Sequence, residues 1–127
     1  MTYLPKVPLP FSFTATQTDE SAGTYAEAAS LTFTPYLPGT NNWAIGFKAM
    51  ATAPAGHSAV TKIEIDGVTC CDGAKSEDQG DWIIASGHGF RALDKSAHTI
   101  KVYVKTSQAG QQASLKEILI KAFPQLA

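Results

Sequence analysis

The sequence predicts an all-β fold: an antiparallel β-sandwich of jelly-roll type with an extended N-terminal arm. Three observations carry that prediction. Apolar residues recur with a period of two along much of the chain, which places them on one face of a pleated strand. About seven or eight such segments are separated by clusters of Gly, Pro, Asn and Asp, a layout that suits a sandwich. No stretch sustains a long helical period, which excludes helical bundles and doubly wound folds.

Taken in chain order, Met1 to Pro10 stands apart. Pro5, Pro8 and Pro10 cannot donate backbone hydrogen bonds and favour an extended polyproline-like path. Residues 1–10 therefore read as an arm lying on another surface, or alternatively as a frayed terminus, and residues 11–127 as the sandwich. Tyr3, Leu4, Val7 and Leu9 are the arm's candidate interface side chains. Phe11 to Thr14 and Leu31 to Thr34 are short strands. Trp43, Ile45, Phe47 and Ala49 alternate with Gly46 and Lys48, and a glycine inside a strand marks a bulge or a close backbone approach. Val60 to Asp66 sets Ile63 and Ile65 against Lys62 and Glu64 and stops at Asp66-Gly67. Trp82 to Ala85 is a further strand. His98 to Lys105 alternates most clearly, with His98, Ile100, Val102 and Val104 on one face. Tyr103 lies on the other face with Lys101 and Lys105, which makes it a candidate interface residue. Ala113 to Phe123 fits a closing strand with a bulge near Glu117, although Leu115, Ile118, Leu119 and Ala122 also fit helical spacing.

Composition narrows the function. The chain has 127 residues, 44% of them hydrophobic, enough for one domain with a real core. A net charge of −1 gives no basic face, so nucleic acid is not expected as the main partner. No apolar run approaches the roughly 20 residues that cross a bilayer. The opening residues lack the apolar core of a signal peptide, so synthesis in a cytosol is expected.

Four groups of residues invite chemistry. Cys70 and Cys71 are adjacent, and neighbouring strand residues point to opposite faces, so the pair reads as structural thiols rather than a metal grip. Asp72 to Asp81 is acidic, but Ala74, Glu77 and Ile83 stand where an EF-hand needs an oxygen ligand, a glycine and a glutamate. Ser86-Gly87-His88-Gly89 has a loop composition and no surrounding nucleophile motif. His98 shares the parity of Ile100, so a buried histidine donating to a carbonyl is expected rather than a ligand. Trp43, Trp82, Tyr25, Tyr36 and Tyr103 would suit a sugar-stacking platform, but Trp43 has core parity. No catalytic residue, metal ligand or cofactor is expected from these patterns.

One layout is familiar. Tyr25 and Leu31-Thr-Phe-Thr-Pro35 lead to the aromatic strand at Trp43. Ile63-Glu-Ile-Asp-Gly67, then Ala97-His-Thr-Ile-Lys-Val-Tyr-Val104, then Ile118-Leu-Ile-Lys-Ala-Phe123 follow. This order resembles the small jelly-roll structural proteins of tailed-bacteriophage virions. The resemblance implies a non-enzymatic capsid decoration or cement protein, made in the host cytoplasm and carried in the virion. It also implies assembly with itself, as a homotrimer, and with the major capsid protein. The same layout is similar to carbohydrate-binding sandwiches, and a tail or fibre component is a further alternative.

Overall fold

The computed structural model describes residues 11–15, 19–21, 25–76, 82–106 and 113–124, with side chains for 25–70, 82–106 and 113–124. The arm, residues 1–10, and with it Tyr3, Leu4, Val7 and Leu9, lies outside the described residues, as do residues 77–81 of the acidic segment. The strands are β1 (Phe11–Ala15), β2 (Asp19–Ser21), β3 (Ala26–Phe33), β4 (Asn41–Thr52), β5 (Ala59–Ile65), β6 (Val68–Ser76), β7 (Ile83–Leu93), β8 (His98–Thr106) and β9 (Ala113–Pro124).

They form two antiparallel sheets. One has the order β1-β9-β4-β7, with β2 also on β9; the other has the order β3-β8-β5-β6. β1 and β2 are two halves of one edge strand, because β1 pairs with residues 118–122 of β9 and β2 with residues 113–115. Counted that way, every connection passes from one sheet to the other except the β5–β6 hairpin, which is the jelly-roll winding. That hairpin turns on Asp66 and Gly67, with φ of 52° and 82°. Two successive left-handed residues make the tight turn whose twist matches the flanking strands.

Alternation fills the space between the sheets. β4 buries Trp43, Ile45, Phe47, Ala49 and Ala51; β8 buries Ile100, Val102 and Val104; β5 contributes Ile63 and Ile65. In β9 the alternation breaks: Leu115 is buried, and then Ile118, Ile120 and Ala122. The cause is a bulge at Glu117, where φ is 53° and the register against β4 slips between Lys48 and Met50. The bulge moves the inward positions from odd to even residues and lies opposite the break between β1 and β2. The strand with a bulge near Glu117 is therefore the correct reading of this segment, and the helical spacing of its apolar residues is a by-product of the bulge.

One sequence expectation fails. Ser86 to Gly89, read as loop, lies inside β7, where it pairs with residues 45–48 of β4. Strand character hides there because the usual pattern is inverted: Ala85, Gly87 and Gly89 point inward, while Ile84, Ser86, His88 and Phe90 point out. The small inward residues admit a neighbouring strand. A Cβ on Gly89 would stand 2.8 Å from the Cys70 carbonyl oxygen and 3.3 Å from its Sγ, so β6 closes over β7 only because this residue is glycine. Asp72 to Ser76, the start of the acidic segment, belongs to β6. Cys70 packs half-buried against the core.

Candidate functional site

Each sheet turns one face to solvent, and the two faces differ in kind. On the β3-β8-β5-β6 sheet the outward side chains satisfy one another. Lys62 pairs with Glu64 at 2.7 Å and Lys101 with Glu27 at 3.1 Å. The Lys62 ammonium lies 4.5 Å from the Tyr25 ring centre and 5.0 Å from that of Tyr103, and Lys105 lies 4.6 Å from Tyr25. Tyr25 and Tyr103 meet edge to face at 6.5 Å. Tyr103 thus sits on the outer face, as its parity required, but within a network of cations and rings. Burial raises its pKa, and Glu64 adds to that.

The outer face of β9, β4 and β7 is apolar and grooved. Register sets its rows: Phe90, Ala44 and Phe123; His88, Gly46 and Lys121; Ser86, Lys48 and Leu119; Ile84, Met50 and Lys116. The central strand supplies only Ala44 and Gly46 to the first two rows, so a groove of about 360 Å³ opens between the taller residues beside them. A Cβ on Gly46 would fit tightly, 3.3 Å from the Gly87 carbonyl oxygen and 3.4 Å from the His88 Cβ, so β7 would have to give by a few tenths of an ångström. Phe90 and Phe123 are about half exposed and Ile84 is 60% exposed, the large apolar side chains left open on this face. The His88 ring meets Phe90 edge-on at 6.5 Å.

Donors line this groove: His88, Ser86, Lys48 and Lys121. Among the described residues that line it, none is acidic. Ser86 and His88 share the outer face about 7 Å apart along the strand, and no lining carboxylate is there to orient the imidazole as a general base requires. The arrangement suits holding a surface or a ligand rich in acceptors.

At one end of the sandwich His98 forms a second cluster. Its Nδ1 lies 2.6 Å from Asp66 Oδ2 and its Nε2 lies 3.0 Å from Asp94 Oδ1. Neutral imidazole has one N–H, so two carboxylate contacts call for the doubly protonated ring. Burial pulls the His98 pKa down, but the Asp66 and Asp94 carboxylates outweigh it, and the net shift is upward. For Asp66, burial raises the pKa, but hydrogen bonds from His98 and the Thr99 N–H outweigh it and the net shift is downward. The Thr99 N–H donates to Asp66 Oδ1 at 2.9 Å, and the Asp66 N–H donates to the Thr99 carbonyl, also at 2.9 Å. Asp94 is held down by Ser96, whose hydroxyl and N–H both bond its carboxylate. The expected carbonyl contact of His98 exists, to Asp94 O at 3.3 Å, but the carboxylates are closer. This cluster ties the β5–β6 turn to the segment entering β8. Among the described residues no three His, Cys, Asp or Glu side chains are placed to hold a metal ion.

Sequence reasoning missed Phe90, Phe123 and His88 as a group. Their shared outward parity becomes visible only when Ser86 to Phe90 is read as strand.

No protein-family model and no curated protein sequence matches the chain. Solved structures do. A chain of infectious bursal disease virus, Gt strain, superposes with a TM-score of 0.65 at 14% identity, covering 94% of this chain and 34% of that one. The C-terminal domain of EclA, a sugar-binding protein, gives 0.53 at 16% identity, covering 94% of this chain and 82% of that one. A family 35 carbohydrate-binding module from Clostridium thermocellum gives 0.51 at 11% identity, with 92% and 99% covered. The chain thus spans about a third of the viral chain and nearly all of the carbohydrate-binding module. At these identities the likeness is one of fold: an all-β sandwich built like those of virus-particle and sugar-binding domains.

Proposed function

We propose that this chain is a non-enzymatic structural protein of a phage particle, a capsid decoration protein that docks through the outer face of β9, β4 and β7. The observation that carries the reading is the asymmetry of the two outer faces. One is an ion-paired, ring-stacked surface suited to water; the other leaves Ile84, Phe90 and Phe123 open around a groove. Exposed contiguous apolar surface marks an interaction site. The jelly-roll winding, shared with a virus-particle chain, supports the assignment at the level of fold.

The size is adequate. β4 has 12 residues. Three strands about 4.8 Å apart and about 40 Å long cover roughly 600 Å², the larger part of the roughly 800 Å² per partner of a standard specific interface. The mechanism is mechanical: a rigid sandwich covers a seam between shell subunits and adds buried area that must be re-exposed before they part. Association into a trimer and contact with the major capsid protein belong to this proposal. Cryo-electron microscopy of purified particles tests it. The expected result is a sandwich-shaped density on the shell with this face inward; particles without the protein overturn the proposal.

Sugar binding is the second reading, favoured by Phe90 and Phe123 flanking Ala44 beside His88, Ser86 and Lys48. Titration of the labelled protein with a panel of oligosaccharides separates the two. Saturable shifts confined to the groove would favour this second reading over docking.

A further inference from the structure

We infer that the groove on β9, β4 and β7 is the receptor for the proline-rich arm, residues 1–10, of a neighbouring copy of this chain. The inference rests on the assembly reading above and deepens it: the neighbour's arm fills the groove at the Ala44–Gly46 end, and the arm-filled face is what meets the shell.

The groove fits such a segment in shape. Its floor is the small Ala44-to-Gly46 stretch of β4; His88 and Phe123 line it, and Phe90 stands next to Ala44 in the register, at its margin. Aromatic-walled grooves are what proline-rich segments dock into, because a segment already extended loses little entropy on binding. From the Phe90 row to the Lys48 row is four residues of strand, about 14 Å. Leu4 to Pro8 in a polyproline path is four steps, about 12 Å, which covers most of that length.

The chemistry fits as well. With three residues to the turn, Leu4, Val7 and Pro10 would share one face of the arm, Pro5 and Pro8 a second, and Tyr3, Lys6 and Leu9 the third. The faces of Leu4-Val7 and Pro5-Pro8 carry no charged side chain, so they can enter the groove while Lys6 turns away from Lys48 and Lys121, leaving Tyr3 and Leu9 at the rim. The prolines leave the arm richer in carbonyl acceptors than in N–H donors. The groove supplies the reverse, with Lys48, Lys121, His88 and Ser86 as donors and no lining carboxylate among the described residues.

Direction argues for a second copy rather than the arm's own sandwich. The chain enters β1 at Phe11, whose Cα partner is Ala122, at the Phe123 end of the sheet. Val7 and Leu9 each precede a proline and are restricted to extended conformations, and Pro8 and Pro10 have fixed φ. The segment that would have to turn sharply to lie on its own groove is therefore its stiffest. Ten extended residues reach about 30 Å, farther than the width of this sheet, so an adjacent copy is within range.

The test uses the full chain with a photo-crosslinking amino acid in place of Leu4, as an equal mixture of light and heavy-isotope protein. After irradiation, cross-linked peptides are mapped by mass spectrometry. The expected result is mixed light–heavy cross-links from position 4 to peptides containing residues 86–90 or 119–123. The Phe90→Ser variant should weaken self-association at least tenfold by analytical ultracentrifugation while its melting temperature stays within about 2 °C. Cross-links that are only light–light and heavy–heavy, or that fall on the Tyr103 face, overturn the inference, as does unchanged association of Phe90→Ser. Particles that still carry the protein while cross-links miss the groove reject the arm assignment and leave the virion reading standing. Absence of the protein from particles rejects the virion reading itself.

Discussion

Replacing His98 by Phe should lower stability in a pH-dependent way. Phe keeps the ring volume beside Phe33, which lies 6.4 Å away centre to centre, and removes both N–H donors. The groups facing the imidazole are Asp66 from the β5–β6 turn and Asp94 and Ser96 from the β7–β8 connection, with Arg91 acting on Asp66 from a distance. The Asp66 contact joins a closed-off ring to a carboxylate that is 45% exposed. That places it near the low end of charge-assisted hydrogen bonds, about 1.5 kcal/mol. For a chain of 127 residues the unfolding entropy is about 0.27 kcal/mol/K, so the loss corresponds to a fall in Tm of about 5–6 °C. The folded pKa of His98 is raised above 6.5, so its contribution is full below pH 6.5 and disappears as pH rises through the folded value. Asp66 and Asp94 have lowered pKa values, so their contribution is present above 3.8 and is lost as pH falls through the folded values. The cluster is thus most stabilising between about pH 4 and 6.5. Thermal unfolding by circular dichroism, at steps from pH 5 to 9, measures this. The wild-type Tm should fall relative to the variant's as pH rises past 6.5. Parallel curves over that range would show that His98 carries no charge in the folded protein and refute the reasoning.

Other substitutions probe the fold and the arm. Gly89→Val sets a side chain where 2.8 Å separates the Cβ position from the Cys70 carbonyl, and it should cost about 2 kcal/mol or more, read as a drop in Tm of at least 7 °C. Gly67→Ala, at φ 82°, should cost about 1 kcal/mol in denaturant unfolding with an unchanged m-value, since the turn admits the left-handed conformation at a price only glycine avoids. Deleting residues 1–8 should leave thermal unfolding unchanged and abolish incorporation into particles; full incorporation would show that the arm docks on nothing.

Much of the fold was legible because one-sided burial writes itself as alternation. His98 to Val104 and Trp43 to Ala49 needed no more than a period of two. The β5–β6 turn was legible from Asp66-Gly67, because two left-handed residues have few sequence solutions. β7 was not legible past Ala85, because its inward positions are small so that β6 can close over them. A strand buried by backbone rather than by side chains has no hydrophobic stripe to show. The groove was hidden for the same reason: Phe90 belonged to no recognised strand, and Gly46 carried only a warning of close approach. The His98 cluster shows a different limit. Parity revealed that the ring is buried, but its carboxylate partners come from residues 66 and 94, and nothing local joins them.

The central claim is that this sandwich is a particle component held by its β9-β4-β7 face. The most direct measurement is copy number per purified particle, by quantitative mass spectrometry, for the wild type and for the double variant Phe90→Ser/Phe123→Ser. Both side chains are about half exposed, so their loss removes interface rather than core, and the Tm should hold. The account predicts a fixed stoichiometric copy number for the wild type and near-complete loss for the variant. Wild-type particles without the protein, or the variant bound at the full wild-type number, would contradict it.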